Sequence, residues 1–309
     1  MRVHVVTVPS KRRDAIAASL RDLPAATEQT LEDKRATIEA TAIDRLDEVG
    51  VVREPTVVGG VPAEWLRIPD RTADAVVVFL HGGGYVVCSV ASHRDRAGRV
   101  ALAAGCDGLV VDYRLAPEHP FPAAIDDAVA VCRAVQAEGR PVLLVGDSAG
   151  GGLVLATMLV LRDAGDPLPL AAVCISPWCD LTLSSPSLES RRARDPFAHL
   201  DDLPGSVDAY LAGRDPRDPL ASPLLADLAG LPPLLVQVGS EETMYDDALG
   251  LAERAAAMGV PTVFEEWVGM FHTWHAYAGA LEAADAAIAH AGTFLARYAA
   301  PSIEERAAS

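Results

Sequence analysis

The stretch Val142-Leu143-Leu144-Val145-Gly146-Asp147-Ser148-Ala149-Gly150-Gly151-Gly152 decides how the rest of the chain is read. Its first four residues are apolar with no polar alternation, the pattern of a strand buried on both faces in a parallel sheet. Gly-x-Ser-x-Gly follows, and then Leu153 to Leu161, an apolar run long enough for a helix. Strand, sharp turn and helix form the setting in which Gly-x-Ser-x-Gly presents a nucleophile. Gly146 and Gly150 lack the Cβ atoms that would crowd such a turn. Ser148 is left at the apex, and the Ala149 N–H at the helix start is free to donate to a developing negative charge. The pentapeptide alone also fits a glycine-rich connection carrying an ordinary serine; the strand and helix around it favour the nucleophile.

Outward from this stretch, the same alternation recurs. Upstream, Asp74 to Leu80 reads as a buried strand running into His81-Gly82-Gly83-Gly84-Tyr85. Ser92 to Ala104 reads as a helix, Leu109 to Tyr113 as a strand, and Ala123 to Ala137 as a helix stopped by Gly139. Val51–Val58 and Val61–Ile68 flank Gly59-Gly60, an antiparallel hairpin signal. Downstream come strands at Leu170–Ser176, Leu234–Gly239 and Thr262–Trp267, the last with the period-two alternation of an edge. Helices are expected at Tyr245–Met258 and Ala276–Tyr298. This order predicts an α/β fold, a mostly parallel sheet with helices on both faces. Two segments stand outside the alternation. Residues 10–48 predict a helix from Ser10 to about Leu20 and a longer one from Thr27 or Thr30 to Leu46, with Gly50 as the stop. Residues 177–233 lose the pattern, keep short amphipathic pieces near Leu200 and Asp208–Leu211, and are long for a plain loop.

Sites in parallel sheets lie at the carboxyl ends of strands. The Gly82–Gly84 run, Ser148, the Glu241–Glu242 pair and His272 all follow strands, so all four are expected at one edge. A serine hydroxyl needs a base within hydrogen-bond reach, and the base needs a third group to fix its tautomer. His272 follows the last strand and completes the order serine, acid, histidine. His275 lies one helical turn later and points elsewhere, and structural or surface roles suit His81, His93 and His119. Acyl transfer also needs N–H donors aimed at the oxyanion. Ala149 supplies one, and the backbone at Gly82 and Gly83 supplies two more. The glycine run lacks the Lys-Ser/Thr ending of a phosphate loop.

These residues resemble the hormone-sensitive-lipase-like esterases of the α/β-hydrolase superfamily. The resemblance runs from about Val77 to Trp274. It is carried by His81-Gly82-Gly83-Gly84, Tyr113 to Ala123, Gly146-Asp147-Ser148-Ala149-Gly150-Gly151 and Gly269-Met270-Phe271-His272. It implies an eight-stranded sheet with a helical cap built from about residues 1–50 and 183–218, the core being residues 51–309. It also implies a serine carboxylesterase that needs no cofactor and no metal. Related alternatives are a small-molecule deacetylase or lactone hydrolase using the same site. An alternative of another class is a ligand-binding receptor on the same fold, which intact Ser148 and His272 argue against. The chain departs from the family at the acid: where Asp-Pro-Leu is usual, it has Gly239-Ser240-Glu241-Glu242-Thr243-Met244. Glu241, Glu242, Asp246 and Asp247 compete. Counted back from His272 without gaps, the family's aspartate falls on Glu242, with Glu241 the nearest rival.

Bulk properties bound the partners. A net charge of −17 argues against nucleic acid and anionic membranes and favours an uncharged small-molecule ester. No apolar stretch has the length of a membrane span, and the first residues are too polar for a signal-peptide core. Five cysteines without a Cys-x-x-Cys pair fit reduced, packed thiols in a cytoplasmic protein. The last strand, as an edge, is where a homodimer would pair. Pro301 to Ser309 is polar and expected to fray.

Overall fold

Strand β4 (Val76–Leu80) shows why the central strands are continuously apolar. Val76, Val78 and Leu80 face one hydrophobic cluster while Val77 and Phe79 face another, and all five are fully buried. The sheet therefore has helices on both sides. Helices α4 (Ala123–Ala137), α5 (Ala149–Ala164) and α8 (Tyr245–Ala257) pack on the first face. Helices α3 (Val90–Ala104) and α9 (Glu282–Ala299) pack on the second. The structure is a computed structural model and describes residues 1–22, 29–197 and 202–299.

The remaining strands are β1 (Arg2–Val6), β2 (Val52–Val58), β3 (Val61–Arg67), β5 (Asp107–Val111), β6 (Val142–Asp147), β7 (Ala171–Ile175), β8 (Leu234–Gly239) and β9 (Thr262–Trp267). Their order is β1-β9-β8-β7-β6-β4-β5-β3-β2. Antiparallel pairing is confined to β3 with its neighbours β2 and β5. Strands β4, β6, β8 and β9 run parallel, so the segments that follow them meet at one edge.

The sheet has nine strands among the described residues, not the expected eight. Arg2–Val6 pairs parallel with β9 in the register Arg2↔Val263 to Val6↔Trp267. The segment 1–50 is thus not wholly helical. The last strand is not an edge either: β9 lies between β8 and β1, so the edge strand at that end of the sheet is β1. The alternation that suggested an edge reflects side-chain burial, since Val263 and Glu266 are partly exposed while their neighbours are buried.

The N-terminal helices are shorter than expected. Helix α1 spans Arg13–Arg21, with Ser10 accepting through its carbonyl rather than capping by its hydroxyl. Helix α2 spans Leu31–Ala40, and Thr30 caps it by accepting from the Asp33 N–H. The chain leaves helical geometry at Thr41, well before Leu46, and Gly50 takes the left-handed conformation that ends a short turn there. Leu20 and Ile16 pack against the α3/α9 face of the core. Thr27, the piece at Leu200 and Pro301–Ser309 lie outside the described residues. In the insertion after β7, α6 (Ser187–Ser190) and α7 (Leu203–Leu211) are the helices among those residues. The C-terminal helix begins at Glu282; Trp274–Tyr277 is a separate short turn.

Candidate active site

The turn after β6 is as tight as its glycines require. A Cβ at Gly146 would lie 2.3 Å from the Gly150 carbonyl oxygen, and one at Gly150 would lie 2.1 Å from that of Leu80. Between them Ser148 sits at φ 54° and ψ −122°. Such a conformation costs a non-glycine residue on the order of 1–3 kcal/mol and persists only where the surroundings impose it. Here the main chain is pinned on both sides: the Ser148 N–H donates to Ile175 O and its carbonyl accepts from Trp178 N, each at 2.9 Å.

Three side chains then form a continuous relay. Ser148 Oγ lies 2.9 Å from His272 Nε2, and His272 Nδ1 lies 3.0 Å from Glu242 Oε2. Glu242 is fully buried and its second oxygen accepts from Ser176 Oγ and Gly239 N, both at 2.7 Å. Burial alone would pull His272 down; the bond to Glu242 and its charge, with Asp195 and Asp147 nearby, outweigh it and hold the imidazole above its ordinary value.

The other three carboxylates have different tasks. Glu241 pairs with Arg194 through two bonds of 2.7 and 2.8 Å. Asp246 accepts from Ser187 N at 2.8 Å. Asp247 accepts from Cys179 N and Asp180 N at 2.9 Å each, and burial pushes it up to about 6. His275 is buried, with Nε2 3.0 Å from Gln237 Oε1, and burial holds it down at about 3.

The glycine run corrects one expectation. The Gly82 N–H is not free: it is directed at His93 Nε2 and Asp147 Oδ1, each 3.2 Å away, and Gly82 is buried. The N–H groups of Gly83, Gly84 and Ala149 have no hydrogen-bond partner among the described residues. Gly83 has φ +109°, and a Cβ there would lie 2.2 Å from Val87 O. The available donors are therefore the second and third glycines of the run.

Sequence reasoning missed what turns Gly82 inward. Asp147 forms a 2.7 Å ion pair with Arg96 and lies 3.3 Å from His93. Burial pushes Asp147 upward, but His93 and Arg96 outweigh it and keep its carboxyl far below the usual range. His81 is buried, stacks on Tyr113 at 4.2 Å between ring centres and is pulled down to about 3 by burial and by His93. The Tyr113 hydroxyl donates to His81 O at 2.6 Å. The spacing of His93 and Arg96, one turn apart on α3, was the available signal. A cavity of about 400 Å³ lined by Arg35, Glu39, Cys88 and His119, among others, sits beside the glycine run and does not include Ser148 or His272. Among the described residues no group of three or more His, Cys, Asp or Glu gathers as metal ligands, and no helix is long and apolar enough to cross a membrane.

Residues 77–276 match the alpha/beta hydrolase fold family. An esterase from the bacterial hormone-sensitive lipase family superimposes with a TM-score of 0.88 at 42% identity, covering 95% of this chain and 100% of that one. The chain belongs to the hormone-sensitive-lipase-like esterase family of the α/β-hydrolases. An acetyl-hydrolase of Streptomyces hygroscopicus is 50% identical over 241 residues, which are 77% of this chain and 80% of the relative. EstE5, in a crystal soaked with p-nitrophenyl butyrate, has a TM-score of 0.91 at 39% identity, covering 95% of this chain and 100% of that one.

Proposed function

We propose that this family member is a serine carboxylesterase that hydrolyses uncharged esters of short to medium acyl chains through an acyl-enzyme. Carboxylic-ester hydrolysis comes with the family; the residue roles and the chain length are the reading argued below. The observation that carries it is the unbroken relay of 2.9 and 3.0 Å from Ser148 through His272 to Glu242.

In the first half-reaction, His272 Nε2 takes the Ser148 hydroxyl proton as Oγ bonds to the ester carbonyl carbon. The carbonyl electron pair moves to oxygen, where the Gly83, Gly84 and Ala149 N–H groups are available to receive it. The tetrahedral adduct collapses, the bond to the alcohol oxygen breaks, and His272 returns its proton to that oxygen. Water repeats the sequence on the acyl-enzyme and frees the acid. Glu242 stays ionised throughout; it fixes the Nδ1–H tautomer and stabilises the imidazolium.

A net charge of −17 supports uncharged over anionic substrates. The relative named an acetyl-hydrolase favours acetyl groups at the short end of the range, including acetyl transfer from small molecules to water. The ligand-binding receptor is disfavoured, because a receptor has no use for three aligned catalytic groups. Four buried thiols among the five free cysteines favour the cytoplasm. The test is a panel of p-nitrophenyl esters of graded length, with N-acetylated amines and lactones. Activity is expected to peak at acetyl to butyryl. Ser148→Ala is expected to remove more than about 10⁴-fold of kcat while leaving the fold intact. A fluorophosphonate is expected to label Ser148 alone, and near-wild-type turnover in the mutant would sink the mechanism.

A further inference from the structure

We propose that Asp195, from the segment inserted after β7, is a positioning residue that sets the Glu242–His272 pair by binding the main chain of both catalytic loops at once. This rests on the reading of Ser148, His272 and Glu242 as the catalytic groups and goes beyond it in naming what holds them.

The acid loop and the histidine loop leave neighbouring strands, β8 and β9. Near the strand ends they touch directly, with Glu241 N donating to Met270 O at 3.0 Å and Gly269 N to Ser240 Oγ at 2.8 Å. Farther out, where the side chains must meet, the two loops are bridged. From the core side, Ser176 Oγ donates to Glu242 Oε1 at 2.7 Å and accepts from Thr273 N at 3.3 Å. A second bridge between the loops is made by one carboxylate. Asp195 Oδ2 accepts from Thr243 N at 3.0 Å and Thr243 Oγ1 at 3.3 Å. Its Oδ1 accepts from His272 N at 3.2 Å and Phe197 N at 3.1 Å.

Thr243 adjoins the acid and His272 is the base, so both catalytic residues are placed through amides bound to one buried group. Asp195 is only 4% exposed and forms no ion pair with a cation among the described residues. An acceptor with four donors converging on it is rigid, and such convergence is what holds a buried carboxylate in place. Among the described residues Asp195 makes no hydrogen bond to Ser148, so it acts through the pair.

Two consequences separate positioning from a plain structural role. First, misplacing a relay by a fraction of an ångström lowers turnover without weakening substrate binding. Second, the charged groups facing His272 are Glu242 from the acid loop, Asp195 from the insertion and Asp147 from the end of β6. His275, held neutral by burial, adds no charge below the site. Removing one of the three negative charges lowers the His272 value, so the acid limb of kcat/KM moves to lower pH.

The experiment compares wild type, Asp195→Asn, Asp195→Glu and Ser148→Ala as full chains on p-nitrophenyl acetate across pH 5 to 9, with circular dichroism as the measure of fold. Asp195→Asn is expected to lose roughly 30-fold in kcat with KM little changed, and its acid limb is expected to shift to lower pH. Asp195→Glu, with the charge kept and the geometry altered, is expected to restore the limb while kcat stays low. Unchanged kcat and limb in Asp195→Asn, a loss confined to KM, or activity tracking the folded fraction would overturn the proposal. Should the Asp195 variants not fold, Thr243→Val removes one donor and leaves the carboxylate. Its kcat is expected to fall about 3-fold, and no change would overturn the proposal. Full activity in Ser148→Ala would overturn the functional reading and this one with it. A dead Ser148→Ala beside a normal Asp195→Asn would overturn this one alone.

Discussion

The two halves of the site are supported from different parts of the chain. Among the described residues, the inner end of the glycine run is anchored by the core: Asp147 from β6, His93 and Arg96 from α3, and Tyr113 after β5. The acid and histidine loops have core anchors in Ser176 and in Gly239, the last residue of β8. Their others come from outside the β/α alternation: Arg13 of α1 on Gly269 O, Arg191 on Ser240 O, Arg194 on Glu241, and Asp195. In the proposed mechanism, the half that binds developing charge is thus held at its inner end by the β/α core. The half that moves the proton in that mechanism depends in addition on segments that the sheet does not contain.

Five substitutions test this division, beginning with the largest effect. Glu242→Gln keeps shape and removes the charge that orients His272, and kcat is expected to fall by up to about 10⁴-fold. Glu241→Gln, which loses an exposed pair with Arg194, is expected to stay within a few-fold. Steady-state kinetics of the two variants decide the matter, and the opposite ranking would move the acid by one residue. On the other half, Gly83→Ala places a Cβ 2.2 Å from Val87 O at a φ that side chains avoid. Losing one oxyanion donor is expected to cost kcat about 10²–10³-fold with KM nearly constant. An effect on KM alone would mean that the glycines merely line the pocket.

Arg96→Met strips the buried Asp147 of its ion pair. Breaking such a pair is expected to lower unfolding stability by roughly 3 kcal/mol, read as a shifted urea midpoint with the slope unchanged. An unshifted midpoint would show that His93 and Gly82 suffice to hold Asp147. Arg13→Ala, which removes the 2.8 Å bond from α1 to Gly269 O, is expected to lower kcat by about 3-fold with the midpoint nearly unmoved. If Arg13→Ala changed stability more than turnover, α1 would belong to the core rather than to the proton-moving half.

The same division explains what could be read from the sequence. Apolar runs such as Val76–Leu80 and the turn at Ser148 are local patterns, so the sheet was legible, and so was the placing of Ser148 and His272 at one edge of it, where they lie 2.9 Å apart. Register from His272 was enough to favour Glu242. Strand β1 was missed because five residues with mostly exposed side chains owe their conformation to β9, not to their own pattern. Gly82 was preferred over Gly84 because three identical residues carry no sign of which amide turns inward. That is decided by Asp147 and His93, far away in sequence. Asp195 gave no signal at all: it is one of several acidic residues in a stretch without periodicity, and its significance lies in bonds to positions 243 and 272.

The strained turn has a consequence of its own. Its shape is enforced by contacts of the main chain at Gly146, Gly150, Ile175 and Trp178, whereas among the described residues the Ser148 hydroxyl bonds only to His272. The turn is therefore a socket, indifferent to what is seated in it. Where a reactive group stands is written in the glycines and strands, and which group stands there is written in one codon. The two can change independently, so a different nucleophile could be seated at position 148 without redesigning the scaffold beneath it.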